Sequence, residues 1–396
     1  MSQAINVANV CRLKKAACAT RFVFFICGLS LSSWAPMIPY VKDRLYLNDA
    51  DLGLLLLEFG IGALLIMPIT GWLVHKYRSR NVSVGASCLL VVLLPLLAMA
   101  QNGTSLGIIL FFFGVSLGAT NVAINAQSVI VEKRIGLPLM SGFHCFFSVG
   151  GLVGALFMSV LLKSGLQLHS SASIVSGVIA LILFFQGRHL LDEDDEGLKS
   201  STKSSFTMPG SRVFFLGILC FILFLAEGAM LDWGAVFLIV NDNYDEAIAG
   251  IGYASFSIAM AIGRWAGDKL TQKWGAVKMI QFGGFIAATG LFIALGVHWK
   301  YVELVGFFLV GIGASNIVPL LFSAAGRIPG TSSSLGLTVV TTFGYVGILL
   351  GPALIGFVAE ATSLLFAFGC VAAMLLFVSI TGRSVREAGA EKVYRT

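Results

Sequence analysis

Two acidic residues within long apolar segments are the side chains of this sequence best suited to chemistry. Glu227 lies about fifteen residues into one such segment, roughly 22 Å along a helix, and Asp232 follows five residues later. A carboxylate at the centre of a bilayer costs about 2.5–3.5 kcal/mol even on a lenient scale, so an acid there is a candidate functional group. We expect Glu227 to take up and release a proton. The alternative is an interhelical hydrogen bond.

Asp232 is a second candidate for proton coupling. Five residues turn a helix through about 140°, so Asp232 and Glu227 cannot share one helix face. Asp232 lies nearer the outer surface, beside Trp233. A structural role at an external gate is the alternative for Asp232.

Neutral polar side chains occur at a comparable depth in the amino-terminal half. Asn121 and Asn125 are four residues apart and therefore share a helix face. His144 lies about six residues into the next apolar segment, which brings it to nearly the same level. We expect these three residues to bind substrate, with His144 as a further proton carrier. The alternative for each is an interhelical hydrogen bond.

The sequence contains an internal repeat. Gly118-Ala119-Thr120-Asn121 recurs as Gly313-Ala314-Ser315-Asn316, and two GxxxG pairs, 150/154 and 347/351, follow the same spacing. Trp34 in the first apolar segment corresponds to Trp233 in the first segment of the second half. A duplicated pattern of apolar helices is typical of secondary transporters built from two halves, with a binding site between them.

The repeat extends the candidate substrate site into the second half. Asn316 repeats Asn121, and Pro319 is expected to break the helix nearby. The repeat places His144 at a position matched by Thr341, Thr342 and Tyr345. Aromatic rings and amides together suit a polyol or another small polar solute. Trp34 and Trp233 are candidate stacking platforms, with interfacial anchoring as the alternative.

Composition identifies the class of protein. Hydrophobic residues make up 57% of the chain, charged residues 12%, and the mean hydropathy is +0.90, which indicates a polytopic membrane protein. Twelve apolar runs reach the length of about 20 residues that a spanning helix needs, and lipid requires each to be helical. We predict an all-α membrane protein with twelve transmembrane helices in two pseudo-symmetric bundles. The expected units are residues 1–190, a cytoplasmic linker at 191–211, and residues 212–396.

The basic residues predict the orientation. With both termini in the cytoplasm, 21 of the 26 Lys and Arg residues lie inside, four lie outside, and Arg264 falls within a helix. The net charge of +6 therefore indicates topology and not a nucleic-acid partner. The seven cysteines form no CxxC pair, so neither a disulfide framework nor a metal site is expected, and no cofactor is implied.

Two loop motifs carry a resemblance to a known family. Gly71 to Arg80 follows the second apolar run, and Gly263 to Gly275 follows the eighth. These segments resemble the paired cytoplasmic loop motif of the major facilitator superfamily, and the chain looks most like its fucose-permease-like branch. The resemblance implies a twelve-helix fold and a cytoplasmic gate formed by Gly71, Lys76, Arg80, Arg264, Asp268 and Lys273.

The sequence also departs from that family pattern. His75 replaces the usual acid of the first loop, and Asp268 offers Arg264 an alternative partner on the same helix face. Relatives in the fucose-permease-like branch tend to carry an acid on the fourth helix, where this chain has Asn121. The resemblance therefore leaves Glu227 or His144 as the proton carrier.

These observations predict a transporter. We expect alternating access for a small polar solute, driven by proton symport, in a monomer of the cell inner membrane. The alternative is a proton-antiport exporter of amphipathic compounds. An enzyme is disfavoured because the sequence has no HExxH, nucleophile elbow or phosphate-binding glycine loop. A channel is disfavoured because no ring of filter residues is evident.

Overall fold

The chain is described from a computed structural model, which covers residues 2–47, 49–192, 210–242, 251–297, 299–383 and 385. Within these residues all regular structure is helical. The fifteen α-helices are α1 (Ser2–Trp34), α2 (Ile38–Arg44), α3 (Asp49–Tyr77), α4 (Ser79–Met99), α5 (Gly103–Ile135), α6 (Met140–Lys163), α7 (Leu168–Gln186), α8 (Ser211–Asp232), α9 (Gly234–Asp242), α10 (Ile251–Trp274), α11 (Ala276–Gly296), α12 (Lys300–Ala314), α13 (Ile317–Ala325), α14 (Ser333–Ala361) and α15 (Leu364–Thr381).

The predicted all-α membrane fold with twelve spanning helices is confirmed. Eleven segments of the described chain are long and apolar enough to cross a membrane, and one of them combines α12 with α13. Helix α10, with 24 residues, is the twelfth. It is less apolar than the others because it carries Arg264, Asp268, Lys269 and Lys273.

The chain forms two compact units. The first comprises residues 1–135 and 143–200, and the second comprises residues 136–142 and 201–396. The second unit therefore includes the first turn of α6. The predicted linker at 191–211 falls mainly on residues 193–209, which lie outside the described residues, so the domain division proposed from the sequence stays a prediction.

Glycines allow close helix contacts in the first unit. A Cβ on Gly28 of α1 would overlap the carbonyl oxygen of Phe147 of α6, and a Cβ on Gly150 would overlap that of Phe25. Gly62 of α3 and Gly114 of α5 pack in the same way. Small residues let helix backbones approach in a membrane, where van der Waals packing replaces the hydrophobic effect.

The second unit repeats this packing. A Cβ on Gly347 of α14 would overlap the carbonyl oxygen of Phe221 of α8, as Gly150 does against α1. Gly311 of α12 lies equally close to the Phe256 carbonyl of α10. The sequence repeat thus corresponds to a shared way of packing helices within each unit.

The break between α12 and α13 follows from Pro319. Proline has no N–H to donate, so the carbonyl of Ser315, four residues earlier, loses its usual helical partner. Helix α12 ends at Ala314, and α13 begins at Ile317. The predicted break near Pro319 is confirmed, and it lies at Ser315 and Asn316.

Candidate functional site

An ion pair joins α8 and α10 in the second unit. Arg264 Nη2 of α10 is 3.9 Å from Glu227 Oε2 of α8, and their side chains are 10% and 28% exposed. Glu227 is sixteen residues into α8, about 24 Å, and Arg264 is thirteen residues into α10, about 20 Å. Both charged groups therefore lie deep within their spans, where charged side chains are costly and usually functional.

The helix break holds Arg264 in place. Arg264 Nε donates a hydrogen bond of 3.4 Å to the Ser315 carbonyl, the acceptor that Pro319 leaves open. Asn316 Nδ2 donates to the Gly263 carbonyl at 2.9 Å and to Ser315 Oγ at 2.9 Å. The guanidinium is thus anchored by backbone that does not depend on the charge of Glu227.

Two glycines of α10 make room for this break. A Cβ on Gly263 would overlap Ser315 Oγ, and a Cβ on Gly267 would overlap Asn316 Oδ1. The spacing of four residues puts both glycines on one face of α10. Arg264 is the residue directly after Gly263, so it lies where α10 packs closely against the break.

Further polar groups of α10 share the face of Arg264. Tyr253 and Ser257 lie eleven and seven residues before Arg264, and this spacing places them on the same helix face. Sequence reasoning missed Tyr253 and Ser257, although their spacing from Arg264 was a visible signal.

A row of hydroxyl groups runs along α14. Thr338, Thr341, Thr342 and Tyr345 have the spacing of one helix face, and Thr341 is 1% exposed. In the described part of the chain the hydroxyls of the three threonines have no hydrogen-bond partner. Five threonines in helices or at a helix end donate to the carbonyl four residues earlier, namely Thr20, Thr70, Thr120, Thr362 and Thr381. Thr271 of α10, by contrast, also has no hydrogen-bond partner among the described residues.

Buried polar groups without partners are uncommon in native proteins and call for an explanation. Sequence analysis named Thr341, Thr342 and Tyr345, and Thr338 adds to that set. Tyr345 also packs near Phe224 of α8, with ring centroids 6.4 Å apart. The row therefore presents hydroxyls beside an aromatic ring, a combination suited to a hydroxylated ligand.

The other predicted residues of the second unit lie at the carboxyl-terminal end of α8. Asp232 is exposed and is the last residue of α8. Trp233 Nε1 donates to the Pro352 carbonyl of α14 at 3.1 Å, so the indole ties α8 to α14. The substrate role of Trp233 and the proton role of Asp232 stay predictions.

In the first unit the two predicted asparagines form a pair. Asn125 Nδ2 donates to the Asn121 carbonyl at 2.9 Å and to Asn121 Oδ1 at 3.0 Å. Asn125 is fully buried, and its Oδ1 accepts no hydrogen bond from the described residues. The pair is structurally coupled, and its predicted role in substrate binding stays a prediction.

Aromatic packing surrounds the remaining candidates of the first unit. His144 is buried, with its ring centroid 5.1 Å from that of Phe24. Trp34 is 6% exposed within an apolar cluster. Sequence reasoning missed Glu132, a fully buried acid in the last turn of α5, because it lies just beyond the apolar run.

The predicted gate residues have distinct partners. Asp268 accepts hydrogen bonds from the backbone N–H groups of Ser141 at 3.0 Å and Gly142 at 2.9 Å, in the first turn of α6. These amides lack partners within their own helix, and a carboxylate there also interacts favourably with the helix dipole. Arg264 has its guanidinium beside Glu227. The role of these residues at a cytoplasmic gate stays a prediction.

In the first unit the basic loop residues contact aromatic rings and an acid. Lys76 Nζ is 4.9 Å from the ring centroid of Trp72. Arg78 and Arg80 lie 3.1 and 3.9 Å from carboxylate oxygens of Asp192. Gly71 is buried and Lys273 is exposed.

The chain has well-defined relatives. It is 44% identical over 367 residues to an uncharacterized MFS-type transporter of Yersinia pestis, covering 93% of this chain and 95% of the relative. It is also 33% identical over 347 residues to the membrane protein MosC of Rhizobium meliloti, covering 87% and 84%.

Structural comparison gives the same fold. The transporter FucP, in its outward conformation, superimposes with a TM-score of 0.78 at 17% identity, covering 93% of this chain and 97% of FucP. The sequence model of the Major Facilitator Superfamily matches residues 20–330. The protein therefore belongs to the major facilitator superfamily of membrane transporters, and not to any class of enzyme.

Proposed function

We propose that this transporter moves a small, polar, hydroxyl-bearing solute by proton-coupled symport with alternating access. The ion pair of Glu227 and Arg264 is the observation that carries the proposal. A buried ion pair generally adds little net stability, because desolvation offsets the attraction between its charges. Its presence deep in a spanning region is therefore better explained by function.

The pair supplies a simple means of coupling. Protonation of Glu227 removes its negative charge and weakens its hold on Arg264. The side chain of Glu227 is 28% exposed, which gives it access to water or to a passing ligand. Arg264 remains held by the Ser315 carbonyl, so the proton changes the charge of the site without dismantling it.

The unpartnered hydroxyls of α14 support a hydroxylated solute. Thr338, Thr341 and Thr342 can each donate and accept a hydrogen bond. FucP, which shares the fold, is a fucose:proton symporter of Escherichia coli. A sugar or polyol is thus the first class of solute to test, in a monomeric protein of the inner membrane with both termini in the cytoplasm.

Proton-antiport export of amphipathic compounds is a second candidate. The fosmidomycin resistance protein of Escherichia coli is 23% identical to this chain over 370 residues. Antiport would move protons opposite to the solute, so the direction of proton movement separates the two candidates.

The test starts with ligand discovery on purified protein. Sugars, polyols, nucleosides and amphipathic cations are screened by thermal shift at about pH 5.5 and about pH 7.5, because a ligand that binds only the folded state raises the melting temperature. Each ligand found is then added to proteoliposomes that contain a trapped pH indicator.

Symport predicts that solute addition acidifies the lumen, and that Glu227→Gln abolishes this acidification. Glu360→Gln, at an exposed helix end, is the matched control and should still show solute-driven acidification. Acidification that persists in Glu227→Gln contradicts the assignment of the proton site. Alkalinisation on addition of amphipathic cations supports the exporter.

A further inference from the structure

We infer that the carboxyl-terminal end of α10 binds the phosphate of an anionic phospholipid. The groups that hold the phosphate are the exposed ring of Trp265 and the ammonium groups of Lys269 and Lys273. The inference goes beyond the proposed function, because it uses neither Glu227 nor Arg264 and does not depend on the solute.

One face of α10 changes from apolar to basic along the helix. Ile258 and Ile262 are exposed, Trp265 is 75% exposed, and the exposed Lys269 and Lys273 continue the spacing of three or four residues. Exposed aliphatic side chains on a spanning helix suit contact with lipid tails, which are equally apolar. The change to lysine therefore marks the place where this face leaves the lipid tails.

This face points away from the helix break. Gly263 and Gly267 contact the break between α12 and α13, and they lie two residues before Trp265 and Lys269 respectively. Two residues turn a helix through about 200°, so the indole and the ammonium group lie on the opposite side of α10. Both side chains are therefore open to lipid.

The position of the change fits the thickness of a bilayer. Trp265 lies about 21 Å along the helix from Ile251, the first residue of α10, and Lys269 lies about 27 Å along it. The hydrocarbon core is about 30 Å thick, so Lys269 lies near its edge. Tryptophan is enriched at this level, and lysine reaches the headgroups by laying its stem along apolar surface.

The two lysines are available to an anion. Neither Lys269 nor Lys273 forms an ion pair with any residue in the described part of the chain. Lys269 Nζ lies 5.9 Å from the ring centroid of Trp265, a cation–π contact that does not use its N–H donors. The neighbouring acid, Asp268, accepts hydrogen bonds from two backbone N–H groups of α6.

The acid of α12 lies at the other end of α10. Ser255 Oγ donates to the Leu304 carbonyl at 2.9 Å, which places Glu303 close to the level of Ser255. Ser255 is about 21 Å along α10 from Lys269. Glu303 is therefore too distant to neutralise Lys269, and α11 and α13 carry no acidic residue.

The acids of α8 and α9 are also engaged or remote. Glu227 of α8 pairs with Arg264. Asp232 ends α8, and in the following helix α9 Leu238 lies beside Gly252, near the start of α10. Among the described residues the far end of α10 thus presents lysines with no neutralising acid.

The first unit contains the same pair of side chains. Lys76 Nζ lies 4.9 Å from the ring centroid of Trp72, and both residues are exposed on α3. Ile69 precedes Trp72 by three residues, as Ile262 precedes Trp265. The pattern I-x-x-W-x-x-x-K thus recurs, and in both units the lysine lies over the indole.

The charge that follows the pair differs between the units. In the first unit Arg78 and Arg80 lie 3.1 and 3.9 Å from carboxylate oxygens of Asp192, whereas Lys273 of the second unit has no such acid among the described residues. We therefore assign the lipid site to α10. A zwitterionic headgroup carries its own cation, which two lysines repel, so the site favours a headgroup with net negative charge.

The test measures lipid binding by native mass spectrometry of the purified full-length protein. Phosphatidylglycerol is compared with phosphatidylcholine of the same acyl chains. A lysine near an anionic surface strengthens binding about fivefold, so two lysines should favour phosphatidylglycerol by at least about tenfold. Equal affinity for the two lipids overturns the inference.

Matched variants locate the site. The double variant Lys269→Gln with Lys273→Gln should bind phosphatidylglycerol no more tightly than phosphatidylcholine, and the corresponding arginine variant should keep the preference. Lys14→Gln with Lys15→Gln removes two exposed lysines of α1 and should also keep it. A preference that survives the α10 glutamine variant, or that is lost equally in the α1 variant, overturns the inference.

Trp265→Leu tests the aromatic part of the site without changing charge. The leucine keeps an apolar contact with lipid but cannot hold the ammonium group of Lys269 over a ring. We expect the affinity for phosphatidylglycerol to fall about threefold while that for phosphatidylcholine stays unchanged. An equal loss for both lipids would show that Trp265 is only an apolar anchor and would overturn its place in the site.

Discussion

At the scale of single residues, Pro319 determines where Arg264 can lie. It leaves the Ser315 carbonyl open, and Arg264 Nε occupies that position at 3.4 Å. Sequence reasoning identified Glu227 as a deep acid and Pro319 as a helix breaker. It did not pair Glu227 with Arg264, because helical periodicity shows which residues share a face and not which faces meet.

Replacement of Pro319 should separate stability from function. In Pro319→Ala the new N–H can donate to the Ser315 carbonyl, so the helix becomes more regular and Arg264 loses its acceptor. We expect the melting temperature to hold or rise, since proline inside a helix costs about 3 kcal/mol, while solute-driven proton movement falls. Thermal melting and the proteoliposome assay measure the two effects.

Pro68→Ala is the control for this prediction. Pro68 lies inside α3 of the first unit and is exposed, whereas the ion pair belongs to the second unit. This variant should change stability without changing proton movement. Full activity in Pro319→Ala would show that the Ser315 carbonyl is not needed to position Arg264.

Arg78 stands where the repeat places a glycine in the second unit. Its backbone angles, φ 70° and ψ 151°, match those of Gly275, φ 81° and ψ 157°, and each residue precedes the helix that follows its loop. This region is essentially restricted to glycine and costs other residues about 1–3 kcal/mol. The ion pair with Asp192 is half exposed and contributes about 0–1 kcal/mol.

Arg78→Gly should therefore stabilise the protein. Relief of backbone strain exceeds the loss of the exposed ion pair, and the expected gain is about 1 kcal/mol. The reciprocal variant Gly275→Ala should be destabilised, since its backbone strain alone opposes a side chain there. Both are measured by thermal melting in one detergent, and a lower melting temperature for Arg78→Gly would contradict the strain argument.

At the scale of helices, the contact between α10 and the break depends on Gly263 and Gly267. A Cβ on Gly267 would overlap Asn316 Oδ1 and would lie 2.7 Å from Ser141 Cβ. Overpacking of this kind usually costs about 1–3 kcal/mol. Gly267→Ala should thus lower the melting temperature and displace the break from α10.

Gly369→Ala is the matched control, because a Cβ on Gly369 of α15 would meet no neighbouring helix within 4 Å. Alanine is favoured over glycine in a helix by about 1 kcal/mol, so this variant should be neutral or more stable. Equal melting temperatures for Gly267→Ala and Gly369→Ala would show that the protein tolerates a side chain between α10 and the break.

Asp268 is expected to stabilise the start of α6. Asp268→Asn removes the charge and leaves a single carbonyl oxygen for the N–H groups of Ser141 and Gly142. We expect a loss of about 1–3 kcal/mol, the usual cost when a buried donor loses its acceptor. Thermal melting measures this loss. The control is Asp43→Asn, a change at an exposed residue of α2, and this variant should have the melting temperature of the wild type.

The sequence predicts most of the helices, but it does not predict which residues of different helices contact each other. Long apolar runs identify spanning helices because lipid offers the backbone no partner. The partners of Asp268 were not predictable, since they are backbone amides that carry no residue signature. Helix α10 is the least apolar span because it carries charged residues, and one of these, Arg264, belongs to the candidate site.

At the scale of the whole molecule, the duplicated halves are alike in packing and different in chemistry. Gly150 and Gly347 allow equivalent helix contacts. Glu227 and Arg264 pair in the second unit, and the offset of these two glycines places the uncharged Ser30 and Met67 at the corresponding positions of the first. Asn121 lies within the continuous helix α5, while its repeat Asn316 lies at a break. The repeat therefore predicts the architecture, and departures from it indicate where function has diverged.

Orientation in the membrane is a prediction for the whole chain. The distribution of Lys and Arg places both termini in the cytoplasm, so the turn between α4 and α5 should face outwards and the end of α10 should face inwards. Asn102 and Lys273 are exposed residues in these two places. Each is replaced by cysteine in a variant that lacks the seven native cysteines.

A membrane-impermeant maleimide applied to intact cells should label Asn102→Cys and not Lys273→Cys. Permeabilised cells should label both, which serves as the control for accessibility. The reverse pattern in intact cells would place the termini outside. It would also exchange the membrane sides that we assign to the two ends of α8 and α10.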